Sequence, residues 1–188
     1  MLYNYVKSIN LMVPKFIEKS VITKEDITIY TTPEFIVPLV SFLKNHTNAQ
    51  YDMLVDMTAV DYPEREKRFE VVYLLMSVKY NCRLTVKLPV DEATPVPSIE
   101  SIFPHAGWTE RETWTRLGIF FQENSDLRRI LTDYGFEGYP LRKDFPLSGF
   151  IEMRYNEIEK RVVNESLELC QEYRTFNYLS PWESQNNF

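Results

Sequence analysis

The sequence predicts an α+β fold: a small mixed or antiparallel sheet with helices on one face, followed by an extended C-terminal arm. Three observations predict it. Apolar residues recur at helical spacing over 2–19 and 35–43. Short β-branched or apolar runs occupy 27–31, 51–60, 69–80 and 83–88. Beyond Leu88 the texture shifts to proline, charge and glycine. At 188 residues, 44% hydrophobic and 26% charged, the chain has the composition of one globular protein and not of a disordered or fibrous one.

Each element has its own local reason. Over 2–19, Leu2, Tyr5, Val6, Ile9, Met12, Val13, Phe16 and Ile17 share one helical stripe, with Pro14 expected to kink or divide it. Residues 27–31 are β-branched and short, a strand. Thr32-Pro33-Glu34 supplies a cap, a proline at the first helical position and an acidic first turn for a helix carrying Phe35, Ile36, Leu39, Val40 and Leu43. Residues 51–60 read as a strand closed by Asp61-Tyr62-Pro63, and 69–80 with 83–88 as an antiparallel hairpin turning at Asn81. Near-continuous apolar runs place two of these strands at the sheet centre.

Pro89, Pro95, Pro97 and Pro104 then mark a loop, with a short helix expected at 99–103 and a longer one at 108–120. Residues 126–146 have too few periodic apolar positions for a core of their own. Residues 151–155 and 161–163 suggest a second hairpin. The tail holds Leu167, Leu169, Tyr173, Phe176, Pro181 and Trp182 with no self-packing pattern, and such a tail is expected to lie on another protein. The expected division is an α+β domain at 1–106 and, at 107–188, a helix plus an extended partner-binding segment.

Composition excludes several function classes. Cys82 and Cys170 are too few for an iron–sulfur cluster and far from any CxxC spacing, and His46 and His105 cannot make HExxH or a three-histidine site. All five glycines lie from Gly107 to Gly149, where no dinucleotide fingerprint, phosphate loop or GxSxG elbow can be assembled. A net charge of −6 opposes a broad nucleic-acid surface. No window approaches eighteen uninterrupted apolar residues, so no membrane span is expected. The N-terminus has neither a signal-peptide apolar run nor transit-peptide character, and two cysteines suggest a reducing compartment.

The charged constellations have plain readings beside their functional ones. Glu110 and Glu112 could be an acid/base pair, but residues i and i+2 do not face each other on a helix. A solvated or salt-bridged first turn, favoured by the helix dipole, is the expected reading. Arg128-Arg129 and Arg142-Lys143 could bind phosphate or nucleic acid. Asp126, Asp133, Glu137 and Asp144 among them nearly cancel the field, so ion pairs at a protein interface are expected instead. Gly135 and Gly138 are read as turn glycines. Cys82 is expected to be a turn thiol, Cys170 a half-buried packing residue, and His105 a surface or satisfied histidine.

A resemblance extends this reading. ERETW at 110–114, GIFF at 118–121, DLRRILTDYGFEG at 126–138 and PLRKDFPLSG at 140–149 strongly resemble the 30-kilodalton subunit family of respiratory complex I, in its mitochondrially encoded form. DMTAVDYP at 56–63, RFEVVY at 68–73, VDE at 90–92, TPVPS at 94–98 and SPWE at 180–183 belong to the same resemblance, which spans about three quarters of the chain. Three departures are visible: Thr115 stands where the family usually has an acid, Asn124-Ser125 where it has His-Pro, and Tyr139 where it has histidine. These replacements argue that the positions shape an interface and are not indispensable to chemistry.

The resemblance implies a scaffold subunit of the peripheral-arm quinone module of proton-pumping NADH:ubiquinone oxidoreductase, on the matrix side of the mitochondrial inner membrane. FMN, the iron–sulfur clusters and ubiquinone would belong to other subunits, with no cofactor, metal or catalytic residue in this chain. Its expected partners are the 49-kilodalton-type subunit and neighbouring iron–sulfur subunits. The expected partner-binding residues are Glu110, Arg111, Glu112, Arg128, Arg129, Tyr134, Phe136, Arg142, Lys143, Phe145 and Trp182. The absence of a leader matches an organelle-encoded version, as in plants, algae and protists. Two readings compete: a free-standing small enzyme using Glu110, Glu112 or His105, and RNA binding through the basic, aromatic arm.

Overall fold

The computed structural model describes residues 2–24, 26–171, 174 and 176. The chain divides into two units, Met1–Phe145 and Pro146–Phe188.

The first unit is built on a five-stranded mixed sheet in the order β1-β2-β5-β4-β3. Its strands are β1 (Lys19–Thr23), β2 (Asp26–Tyr30), β3 (Met53–Asp61), β4 (Phe69–Ser77) and β5 (Cys82–Val90). The β2–β5 pair is parallel and the others are antiparallel. The hairpin expected around Asn81 is β4–β5, with Tyr73 opposite Val86 and Leu75 opposite Leu84, and Asn81 takes the left-handed φ of 48° that the turn needs. Alternation sorts the sheet's two faces. Val71, Tyr73, Leu75, Leu84, Val86 and Leu88 are buried, whereas Val72, Leu74, Thr85 and Lys87 between them are not.

Helices complete the core on the buried face. Helix α1 (Leu2–Met12) contributes Val6 and Ile9, and α2 (Ile36–Asn45) contributes Ile36, Leu39, Val40 and Leu43. Truncating either of these leucines to alanine would cost about 2–5 kcal/mol in transfer and cavity energy.

Several boundaries differ from expectation. Helix α1 stops at Met12 and does not continue to 19, because Pro14 has no N–H to give and disfavours helical geometry at Val13. Phe16 and Ile17 reach the core from the following turn, Phe16 stacking on Phe35 at 5.6 Å, and β1, a strand that was not expected, begins where the helical stripe was expected to end. Thr32 makes no side-chain capping bond. Pro33–Phe35 forms a 3₁₀ turn ahead of α2, and the Thr32 backbone is extended. Residues 99–103 form a turn in which the Ile102 and Phe103 N–H groups both bond the Ile99 carbonyl, and Pro104 prevents its growth into a helix.

Helix α3 (Ala106–Leu117) begins two residues before the expected start and ends at Gly118, whose φ of 83° closes the helix through its N–H on the Trp114 carbonyl. Two short strands, β6 (Val96–Pro97) and β7 (Phe121–Gln122), pair in parallel and flank it. The division expected after residue 106 therefore falls at the start of α3, inside the first unit: Ala106, Leu117, Ile119 and Phe121 all join the core.

The second unit contains the expected hairpin, β8 (Ile151–Asn156) with β9 (Arg161–Ser166). Tyr155 faces Val162, Met153 faces Asn164 and Ile151 faces Ser166, so these six side chains share one face. On the other face Arg154 donates to both Glu165 carboxylate oxygens, at 2.5 and 2.7 Å.

Candidate partner interface around helix α3

Helix α3 collects most of the residues singled out in the sequence, and it separates them by face. Glu110 is fully buried, contrary to the expectation of a solvated first turn. With Ala106 as the first helical residue, Glu110 lies in the second turn, where the dipole has little to offer it. Three donors hold its carboxylate instead: the Ser98 hydroxyl at 2.6 Å, the Ile99 N–H at 2.9 Å and the Asn124 side-chain amide at 2.7 Å. Burial pushes its pKa above the ordinary glutamate value, although the three hydrogen bonds oppose that shift. Glu110 is thus a knot joining α3 to both flanking strands. Glu112, on the opposite side, pairs with Arg116 at 2.9 Å, an i,i+4 contact on a half-exposed face.

Asn124 and Ser125 are both used. Ser125 donates its N–H and its hydroxyl to Glu100, at 2.8 and 2.6 Å, and these bonds hold the Glu100 carboxyl below its ordinary pKa. Thr115 is buried without a charge: its hydroxyl donates to the Arg111 carbonyl at 2.7 Å and accepts the Ile130 N–H at 3.1 Å. A hydroxyl can do both at once, which an ionised carboxylate cannot.

The segment after β7 wraps α3 and closes its carboxyl end. Arg142 donates Nε to the Leu117 carbonyl at 2.7 Å, placing a cation at the helix C-terminus, and Leu141 donates its N–H to the Arg116 carbonyl at 3.0 Å. The Arg142 guanidinium also pairs with Glu92 and lies 4.5 Å over the Tyr139 ring. Beside it, Asp61 is held by Arg68 through two bonds of 2.7 and 2.9 Å, and Arg68 reaches on to Asp144 at 3.2 Å. Those contacts pull the Asp61 carboxyl below its ordinary value and raise Arg68 above its own. A second carboxylate on the sheet, Glu70, pairs with Lys87 at 2.8 Å and Arg65 at 3.3 Å.

The remaining expected residues fall into two groups. Arg129, although exposed, is engaged within the chain: it donates to the Gly138 carbonyl at 3.2 Å and lies over the Trp114 and Tyr139 rings. Phe136 packs against Phe145 at 5.9 Å. Arg128 is exposed and paired with Asp126 at 2.9 Å, while Tyr134 and the Lys143 side chain are exposed. Arg111 is buried on α3, donating Nε to the Arg128 carbonyl at 3.2 Å. Trp182, with Tyr173 and Pro181, lies outside the described residues. His105 is exposed just ahead of α3, and Cys170 is exposed, not half-buried.

Sequence reasoning missed Asp61, Arg68, Glu92, Ser98, Glu100 and the two residues at 124–125 as parts of one assembly. Their only sequence signal was membership of the resembling motifs.

The donor set does not fit an iron–sulfur cluster. The sequence has two cysteines and two histidines, and the Cys82 sulfur is engaged by the Tyr51 hydroxyl at 3.5 Å. Among the described residues no group of three His, Cys, Asp or Glu side chains could hold a metal ion. Among the same residues no helix is long and apolar enough to cross a membrane.

The family model for the respiratory-chain NADH dehydrogenase 30 kDa subunit matches residues 29–151. The chain belongs to that family. The matched stretch runs from β2 to the start of β8 and contains α3, its Glu110 knot and the wrapping segment. The 30 kDa family relatives include NADH-ubiquinone oxidoreductase subunit 9 of Reclinomonas americana, 55% identical over 92% of this chain and 84% of the relative. Subunit 9 of Prototheca wickerhamii is 52% identical over 96% and 94%. The protein named iron-sulfur protein 3 of NADH dehydrogenase (ubiquinone) in Marchantia polymorpha is 53% identical over 97% and 93%. Among solved structures, a chain of the membrane-bound sulfane sulfur reductase, an archaeal respiratory membrane complex, superposes with a TM-score of 0.66 at 27% identity, over 77% of this chain and 85% of that one.

Proposed function

We propose that this 30 kDa family member is a scaffold subunit, without a redox centre of its own, in the peripheral-arm quinone module of proton-pumping NADH:ubiquinone oxidoreductase. It would sit on the matrix side of the mitochondrial inner membrane, against the 49-kilodalton-type subunit and neighbouring iron–sulfur subunits. NADH oxidation and quinone reduction would then run through other subunits, which this chain positions.

The observation that carries this reading is the second unit. Ile151, Met153, Tyr155 and Val162 share one face of β8–β9, each more than half exposed. A two-stranded hairpin is at best marginally stable alone in water, and an apolar face of this kind calls for a covering protein. The acids of α3 argue in the same direction. Glu110 is sealed by three donors and Glu112 is paired with Arg116, so neither is placed to exchange a proton with a substrate.

Native sedimentation of a detergent extract of mitochondria tests the proposal. The chain should comigrate with NADH:quinone activity in a very large particle. Migration only at the mass of the free chain would overturn the reading, as would stoichiometric iron or flavin in the purified chain.

A further inference from the structure

We infer that the depression beside the first half of α3 receives one carboxylate side chain, an aspartate or glutamate of a neighbouring subunit, on the guanidinium of Arg111. The inference rests on the scaffold reading and names the chemistry of one of its contacts.

Arg111 is 8% exposed, and among the described residues no carboxylate pairs with it. Its bonding is confined to one of five N–H donors, Nε on the Arg128 carbonyl, while the Trp108 ring lies 4.9 Å from the guanidinium carbon. The terminal nitrogens of Arg111 are not among the sealed, unpartnered polar atoms and still reach water, so a neighbour that covers them must replace that water with an anion, because a guanidinium buried without one is costly. Here the guanidinium lines an open depression of ≈ 250 Å³, the size of a side chain and not of a cofactor. A carboxylate entering it could take the unused donors in the bidentate geometry that arginine favours.

The other charges around the depression are already used. Glu100 is held by Ser125, and Asp126 by Arg128. Arg111 is therefore the lining cation with no counter-charge among the described residues. The two acids also select against a phosphate dianion, with its double charge, and against a nucleic-acid strand, whose neighbouring phosphates they would repel as well; a single carboxylate is opposed least. A protein source fits the rim: Trp108 is 62% exposed, and an exposed tryptophan stacked on arginine is the kind of pair that anchors protein interfaces.

Two measurements on the assembled particle decide it. First, a chain carrying Arg111→Lys is assembled and treated with a carbodiimide, which joins an amine to a carboxylate it touches. Peptide mass spectrometry should find the introduced amine amide-linked to an aspartate or glutamate of another subunit. An assembled particle in which that amine links only to its own chain, or to nothing, overturns the inference. Second, hydroxyl-radical footprinting of the unaltered protein, which needs no variant, should show Trp108 oxidised about tenfold less in the particle than in the isolated full chain, as expected for a water-excluding interface core. Equal oxidation overturns the inference. So does a Trp108 that is open in the particle but shielded by added glutarate, which would mark a small-molecule site. Absence of the chain from the particle instead removes the scaffold reading, so the two failures are distinguishable.

Discussion

Lys143 donates its backbone N–H to the Asp61 carboxylate at 2.9 Å, across 82 positions of sequence. Asp61 simultaneously takes both bonds from Arg68, so one buried acid ties the end of β3, the start of β4 and the segment that wraps α3. Removing it leaves Arg68 without its main anion and the Lys143 N–H without an acceptor. Asp61→Ala should lower stability by about 3–5 kcal/mol, the usual cost of breaking a buried pair from one side. Urea unfolding of the full chain measures this, and proteolysis should open residues 139–145 first. The pH dependence has a definite sign. The Asp61 pKa is lowered in the folded state, chiefly by Arg68. Its contribution is therefore present above the unfolded aspartate value of about 3.9 and is lost as pH falls through the lower folded value.

Glu110 has the opposite sign. Burial raises its folded pKa, so its contribution is fully present below the unfolded glutamate value of about 4.3 and is lost as pH rises through the higher folded value. Glu110→Gln should remove that dependence, visible as a flatter melting temperature on the acid side of neutrality. Glu110→Ala should be worse at every pH, by roughly 3 kcal/mol or more, because Ser98, Ile99 and Asn124 each lose a buried acceptor.

Asn124 gives the Glu110 carboxylate a donor that does not titrate. Asn124→His would place an imidazole against the Glu110 carboxylate, which favours its protonated form and raises its pKa. The added stability should be full below the unfolded histidine value of about 6.5 and vanish as pH rises through the raised folded value. Melting temperatures of variant and parent, compared between about pH 5 and pH 9, test this; parallel curves would show that no ion pair forms.

Gly118 and Gly135 both have positive φ, 83° and 72°, but only one is crowded. A Cβ at Gly118 would lie 2.6 Å from an Arg142 nitrogen and 2.8 Å from the Tyr139 ring, whereas at Gly135 it would meet nothing. Gly135→Ala should cost about 1 kcal/mol in backbone strain. Gly118→Ala should cost roughly 2–4 kcal/mol, since overpacking adds to the strain and displaces the cap on α3. Equal losses in chemical denaturation would refute the role assigned to Arg142.

The exposed face of β8–β9 makes a prediction about assembly and not about folding. Val162→Asp alters a side chain that is 61% exposed, and surface changes of this kind usually shift stability by less than about 0.5 kcal/mol. The variant chain should melt as the parent does, yet fail to enter the large particle on native gels. Normal incorporation would remove this face from the proposed contact.

Local patterns carried much of the fold. The β4–β5 hairpin was legible because its apolar run and the turn at Asn81 are contiguous in sequence, and β8–β9 for the same reason. Strand β1 was not legible. Its five residues, Lys19-Ser20-Val21-Ile22-Thr23, carry little alternation and follow a helical stripe that only Pro14 interrupts. The Glu110 knot was not legible either. Its donors come from positions 98, 99 and 124, and no period links them to 110.

The sequence by itself determined the fold class, the family and the scarcity of metal-binding side chains, because each follows from composition, short-range periodicity or a long motif read in order. The tertiary structure alone decided what the charged residues do. Glu110 and Glu112 are two positions apart and identical in chemistry, yet one is sealed at the junction of α3 with its flanking strands and the other lies on the half-exposed face. Arg129 and Arg142 close internal contacts, while Arg111 remains without an anion among the described residues. Burial and pairing are set by which distant segments meet a side chain. Contacts across 82 positions, as between Asp61 and Lys143, leave no local mark in a sequence.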